Sequence, residues 1–259
     1  MTEQAFAFEI VPRLPQEKHS RYAYRNIRQN NMECRLKPGA LINEAALAAA
    51  MGISRTPVHE AILRLHTEKL VDVIPRKESR VSFINLSLVN EGIFLRCAYE
   101  PELVRSLAGN IGGEYLRRMR ENLEYQSALF EQGQDLERFY PADDEFHHLL
   151  YLAANKPQTY ASMRSICSHL DRVRYFVRLE EDTDIERQSL AEHRQMLLYL
   201  MMGLDPDADL RLLFRRHILR FQQQLPKYLA HYRAYFVPDA QGAPFLESTG
   251  PEDPALLND

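Results

Sequence analysis

Between Gly52 and Arg55 the chain has only Ile53 and Ser54 in which to leave one helix and begin the next. The stretch "INEAALAAAMG" places Leu47, Ala48 and Met51 on one helical face, and Gly52 suits a helix end because it accepts a left-handed backbone. "RTPVHEAILRLHTEKL" resumes the period with Val58, Ala61, Ile62 and Leu65. Ser54 or Thr56 acts as its N-cap. Pro57 falls in the first turn either way, where a missing N–H is harmless. So short a connection places the second helix across the first with its N-terminal end free.

The residues on either side complete a small module. "RYAYRNIRQNNMECRL" (21–36) spaces Tyr24, Ile27 and Met32 as a helix, and "KPG" (37–39) breaks it. After Leu70 the period falls from 3.6 to 2, so "VDVI" (71–74) and "VSFI" (81–84) read as two short strands around the turn "PRKESR". From Leu86 the strand signals stop. Helical stretches follow near 86–109, 113–133, 141–154, 158–180, 185–202 and 207–235, separated by short breaks such as "GNIGG" and "GLDPD". Successive helices with short links make an antiparallel bundle. The reading is a mainly α protein: an N-terminal arm (1–19), a winged helix-turn-helix domain (20–85), an all-helical bundle (86–236) and a disordered tail (237–259) rich in Pro, Gly and acid.

Composition sets limits on function. No apolar run approaches the roughly 20 residues that span a bilayer. The N-terminus lacks the basic-then-apolar order of a secretory signal. Cys34, Cys97 and Cys167 are too few and too scattered for a disulfide frame or a Cys-rich metal site. These features point to a cytoplasmic protein with no membrane partner. The net charge of −4 argues against nucleic acid until the chain is divided. Residues 1–85 hold 13 Lys+Arg against 9 Asp+Glu, whereas the remainder holds 19 against 27. A phosphate backbone attracts the first part and not the second.

A recognition helix entering a major groove reaches base edges with its first residues. Here these are Ser54, Arg55, Thr56 and His59. Arg55 has the fork that matches a guanine edge, while Ser54, Thr56 and the free backbone N–H groups suit phosphate. Arg76, Lys77 and Arg80 of the turn are placed to follow the backbone or enter the minor groove. The same pattern also fits an ordinary capped helix, so the motif alone leaves DNA binding open.

The segment "LKPGALINEAALAAAMGISRTPVHEAILRLHTEKLVDVIPRKESRVSFI" resembles the DNA-binding domain of the GntR family of bacterial transcription regulators. The resemblance implies a homodimer reading a short palindromic double-stranded operator. The family usually has arginine where this chain has His59, and glycine at the wing position of Glu78. Neutral imidazole lacks the guanidinium fork, and a carboxylate at the wing repels phosphate.

A second pattern lies in the bundle. In "PADDEFHHLLYLAAN", Asp143 and His147 are four residues apart, one turn up the same helix face, with Cβ atoms about 6 Å apart. His193 in "LAEHRQMLLYL" and His217 in "LLFRRHILRF" sit among apolar neighbours at helical spacing. Each alone is ordinary: a solvated pair, or a hydrogen-bonded core histidine. "FLRCAYEPELVRSLA", "DDEFHHLLYLAAN", "EHRQMLLYL" and "RRHI" together resemble the FCD ligand-binding domain found behind GntR-type winged helices. That resemblance implies Asp143, His147, His193 and His217 as metal ligands. His148 points about 100° away from His147 and is set aside. Three imidazoles and a carboxylate suit zinc, nickel or another late divalent ion. The resemblance further implies a small carboxylate effector at an open metal position, with Arg96 as its partner, although Arg96 could equally pair with Glu100.

The reading is a transcription regulator whose operator affinity responds to a small carboxylate bound at or near the metal, repression being the commoner mode in the family. Two alternatives remain at this point. One is a metal-dependent hydrolase, opposed by the lack of a motif that places a general base. The other is a regulator whose metal is purely structural.

Overall fold

A computed structural model describes residues 8–74, 78–131, 135–179 and 184–237. Residues 8–12 do not hang free of helix α1 (His19–Met32) but lie along it. Asn26 and Asn30, one turn apart and fully buried, take the place of apolar residues on that face. Their amides accept from Val11 N (2.7 Å) and Glu9 N (2.8 Å) and donate to the carbonyls of the same two residues. The arm thereby satisfies buried polar groups that would otherwise be costly.

Helices α2 (Glu44–Met51) and α3 (Arg55–Thr67) form the tight pair expected. The Asn43 side chain caps α2 by accepting from Ala46 N, and Gly52 ends it at φ 65°. The N–H groups of Gly52 and Ile53 return to the carbonyls of Ala49 and Ala48, which closes the turn. Ser54 occupies the N-cap position of α3 without a side-chain cap bond. Strands β1 (Val71–Asp72) and β2 (Arg80–Val81) pair antiparallel, Val71 opposite Val81. They are shorter than the four-residue runs suggest, and Arg80 of β2 also bridges to Leu41. A cluster running from Tyr22 to Val81 forms the interior of this module, with Ile27, Leu47, Val58, Ile62 and Leu65 at its centre.

Helices α4 (Leu86–Leu107), α5 (Gly113–Glu131) and α6 (Leu136–Ala153) open the bundle. Helix α6 begins five residues before the expected start at Pro141. Asp135 caps it by accepting from Arg138 N, and Pro141 is absorbed inside the helix. The single helix expected over 158–180 is two, α7 (Pro157–Ile166) and α8 (Ser168–Leu179). No proline or glycine marks the break. Cys167 is seated on Gly92 of α4, where a Cβ would come within 3.2 Å of its Sγ, and the next two residues turn to the N-terminal module. Helices α9 (Asp184–Met202), α10 (Leu210–Leu219) and α11 (Leu225–His231) follow, α10 and α11 separated by a 3-10 turn (Arg220–Gln224) that divides the expected 207–235 stretch.

The bundle has its own interior, from Ile84 to Phe236, joined by Cys34 from the N-terminal module. The link between the two parts is clamped. Ile84 N donates to Tyr235 O (2.8 Å), and Val237 N donates to Ile84 O (3.0 Å). Beyond Val237 the expected tail lies outside the described residues. Cys34, Cys97 and Cys167 are free thiols.

Candidate metal centre and nucleic-acid interface

The one-turn spacing of Asp143 and His147 on α6 brings them to His193 of α9 and His217 of α10. One potential ligand atom from each of the four lies within 4.8 Å of every other. All four side chains are buried. His147 Nε2 is 3.1 Å from His217 Nε2 and 3.2 Å from His193 Nε2, and His193 Nε2 is 3.5 Å from Asp143 Oδ1. A tetrahedral ion with ligand bonds near 2.0–2.1 Å requires ligand atoms about 3.3 Å apart.

The opposite edges of the rings explain why the nitrogens can converge. His217 Nδ1 faces Glu192 Oε2 at 3.0 Å, His193 Nδ1 faces Gln126 Oε1 at 3.4 Å, and His147 Nδ1 lies 3.1 Å from Glu100 Oε2. Gln126 is oriented by donating to Asn122 Oδ1 (2.7 Å), which leaves its oxygen for the imidazole. With the Nδ1 protons of His193 and His217 on these acceptors and His147 Nδ1 close to the Glu100 carboxylate, three Nε2 lone pairs meet at one point. Without a cation that arrangement is repulsive; with one it is the usual partner scheme of metal-bound histidine. Gln126 and Glu192 were not singled out in the sequence, and Glu100 was named only as a partner for Arg96; no spacing ties the three to the histidines.

Electrostatics fit the same assignment. Burial opposes ionisation of Asp143, but the Arg174 guanidinium bonded to it, followed by the imidazoles, holds its pKa well below the usual carboxylate range. Burial lowers the pKa of both His193 and His217, favouring the neutral ring that binds metal. His148 stands apart, stacked on Tyr160 and bonded to Glu145.

Arg96 is buried and forks onto Glu100, with Nε to Oε1 at 2.8 Å and Nη2 to Oε2 at 3.2 Å. It also contributes to a small cavity of about 30 Å³ that Asp143 and His217 line.

At the other end of the molecule, Ser54, Arg55, Thr56 and His59 are all exposed at the start of α3. Arg55 makes no side-chain bond among the described residues. His59 Nδ1 lies 3.1 Å from Glu44 Oε1, so this histidine is tied back to α2. Arg80 sits half-buried in β2 and not at the hairpin tip. Glu78 is exposed, while Arg76 and Lys77 lie outside the described residues.

Residues 20–81 match the model of the bacterial regulatory proteins of the gntR family, and residues 91–220 match the FCD domain. A Streptomyces ambofaciens protein, an uncharacterized HTH-type transcriptional regulator in an unstable DNA locus, is 31% identical over 221 residues, covering 85% of this chain and 91% of its own. The chain belongs to the GntR family. The Escherichia coli HTH-type transcriptional repressor RspR is 30% identical over 161 residues, 62% of this chain and 70% of its own. Among solved structures, E. coli McbR/YncC shares the fold at a TM-score of 0.66 and 21% identity, over 84% of this chain and all of that one. A putative GntR regulator from Rhodococcus sp. RHA1 does so at 0.60 and 20% identity, over 86% and 99%. This GntR protein is therefore a transcriptional regulator with an FCD domain, and the hydrolase alternative falls away. No described helix is long and apolar enough to cross a membrane.

Proposed function

We propose that this regulator holds a divalent ion, zinc or nickel, on Asp143, His147, His193 and His217, and that a small carboxylate bound beside the ion controls its hold on operator DNA. The observation that carries this reading is the convergence of three imidazole Nε2 atoms whose Nδ1 edges all face acceptors. A homodimer would present two copies of Ser54, Arg55, Thr56 and His59 to a palindromic duplex, with Arg76, Lys77 and Arg80 on the flanking backbone. The mode we favour is repression, as the name of the relative RspR suggests. Arg96, in the wall of the small cavity, would help to place the carboxylate.

Helix α8 supports the coupling. Its Arg174 bonds Asp143 and reaches Asp144 (3.4 Å). Earlier on the same helix, Ser168 Oγ donates to Glu68 O (3.1 Å), His169 Nε2 to Lys69 O (3.0 Å), and Arg172 Nη2 to Ser82 O (2.9 Å). Displacement of Asp143 by a ligand would thus act on a helix that grips the end of α3 and the root of the wing. A ligand shifts such an equilibrium only by its differential affinity for the two arrangements.

The test is selection of a duplex from a random library with the full-length protein, followed by fluorescence anisotropy on that duplex. Nickel-loaded protein should release it when one of a panel of small carboxylates is added, and metal-stripped protein should not respond to the same acid. Equal responses with and without metal would overturn the reading. Melting that depends on metal, combined with indifference to every acid, would favour the purely structural ion.

A further inference from the structure

A side-chain bond joins the starts of the two crossing helices, with His59 Nδ1 3.1 Å from Glu44 Oε1. Both residues stand on fixed backbone. Glu44 opens α2 directly after the Asn43 cap, and Val58, beside His59, is fully buried. The His59 side chain is nevertheless 57% exposed. It lies on the face of α3 that carries Arg55 one turn earlier. Its Nε2 makes no bond among the described residues.

The partner of Nδ1 decides what Nε2 can do. A carboxylate offers only acceptors. A neutral imidazole bonded to it therefore carries its single proton on Nδ1. Nε2, across the ring, is left as an acceptor. The negative charge of Glu44 behind the ring polarises it further in that sense.

An acceptor cannot bond the edge of guanine. In the major groove guanine presents N7 and O6, both acceptors, and thymine presents O4 and a methyl group. The donors are the N4 amino group of cytosine and the N6 amino group of adenine. Arg55 only donates and so suits guanine; His59 needs the complementary kind of base. The two residues are about 6 Å apart along the helix, roughly two base-pair steps of about 3.4 Å. The start of α3 thus presents a donor and an acceptor side by side, each able to take its own base pair.

We propose that His59 reads an exocyclic amino group, of cytosine or adenine, in the operator's major groove, and that Glu44 is the positioning residue that makes it an acceptor. This rests on the reading that the start of α3 faces that groove.

Full-length protein selects duplexes from a random library, and the selection is repeated with His59→Ala, His59→Arg and Glu44→Gln. The position whose preference disappears in His59→Ala is the one that residue 59 reads. There the unaltered protein should favour cytosine or adenine over guanine by about fivefold, the lower end of what a specific base contact gives. Anisotropy on the four single-base duplexes measures the ratio and tells cytosine from adenine. His59→Arg should turn the preference to guanine. In Glu44→Gln the amide can accept from Nδ1 or donate to it, so the ratio between bases should fall. A loss of packing alone would weaken all four duplexes alike. A guanine or thymine preference in the unaltered protein, no position that responds to His59→Ala, no turn to guanine in His59→Arg, or an unchanged ratio in Glu44→Gln overturns the proposal. If Glu44→Gln does not fold, the unaltered protein and His59→Arg decide. Failure to select any duplex sinks the DNA reading and this assignment with it. A selected duplex with guanine at that position sinks this assignment alone.

Discussion

His193 offers the most direct measure of the metal centre. Its ring is fully buried, stacked on Phe146 with centroids 4.4 Å apart, and its Nε2 lies 3.2 Å from His147 Nε2. An ion that binds only the folded bundle stabilises it by RT ln(1 + [L]/Kd), about 4.1 kcal/mol when free nickel is a thousandfold above Kd. For about 150–250 residues each kcal/mol moves the midpoint by about 2–4 °C, so the shift should be about 8–16 °C. His193→Ala removes one ligand of four. Loss of a partner outside the ligand set already weakens metal binding about 10–100-fold, so loss of a ligand should cost at least the upper figure. At the same nickel concentration about 1.4 kcal/mol would remain, a shift of about 3–6 °C. The assay is differential scanning fluorimetry of each protein with nickel and with chelator. The comparison is made within each variant, because the cavity left by the imidazole lowers both curves. A nickel shift of the same size in His193→Ala, or no shift in the unaltered protein, would refute the inference from converging nitrogens.

Other consequences are open to measurement. Arg55→Ala should weaken binding to a selected duplex by about 1–3 kcal/mol and relax preference at one base position, read by anisotropy on single-base variants of the duplex. Arg174→Met cuts the bond between α8 and Asp143, so nickel should still raise the melting temperature while carboxylate no longer changes duplex affinity; an unchanged response would remove α8 from the coupling. His169, lowered to about 3 by burial and by Arg172, gives stability a pH dependence. Between about pH 6.5 and 3 the unfolded imidazole takes a proton that the folded one refuses, so stability falls as pH falls, by about 1.4 kcal/mol per pH unit, and is level above 6.5. Urea unfolding of the unaltered protein and His169→Gln across pH 4–7 should show that slope reduced in the variant.

The parts of the fold governed by local rules were legible in the chain. Gly52 ends α2 as a left-handed residue, the apolar period of α3 was readable from Val58 to Leu65, and the change of period after Leu70 marked the hairpin. The clustering of Asp143 with His147, His193 and His217 came from likeness to a family, since spacing alone joins only the first two. What escaped was fixed by tertiary contact. The break at Cys167 depends on Gly92, some 75 residues away, and the cap at Asp135 starts α6 ahead of Pro141, where the sequence suggested its start. Glu100, Gln126 and Glu192 each lie on a different helix from their histidine partner, and no periodicity could have paired them.

That division explains the placement of α8. Its sequence, "SHLDRVRYFVRL", reads as an amphipathic helix with arginines on the water side. In the fold Arg172 is fully buried against Ser82 and Arg174 is bound to Asp143. Buried guanidinium groups are costly unless paired, and both terminal nitrogens of Arg172 are bonded to Ser82. Replacing either by an apolar residue of similar volume would remove that bond, while Ser168 and His169 would still hold the start of α8 to Glu68 and Lys69. The charges are therefore better understood as joints than as supports. One joint grips the root of the wing and the other the carboxylate of Asp143, and only about half a turn of α8 lies between them. On the proposed reading, a ligand that displaces Asp143 would act through Arg174 on the neighbouring Arg172 contact with the wing.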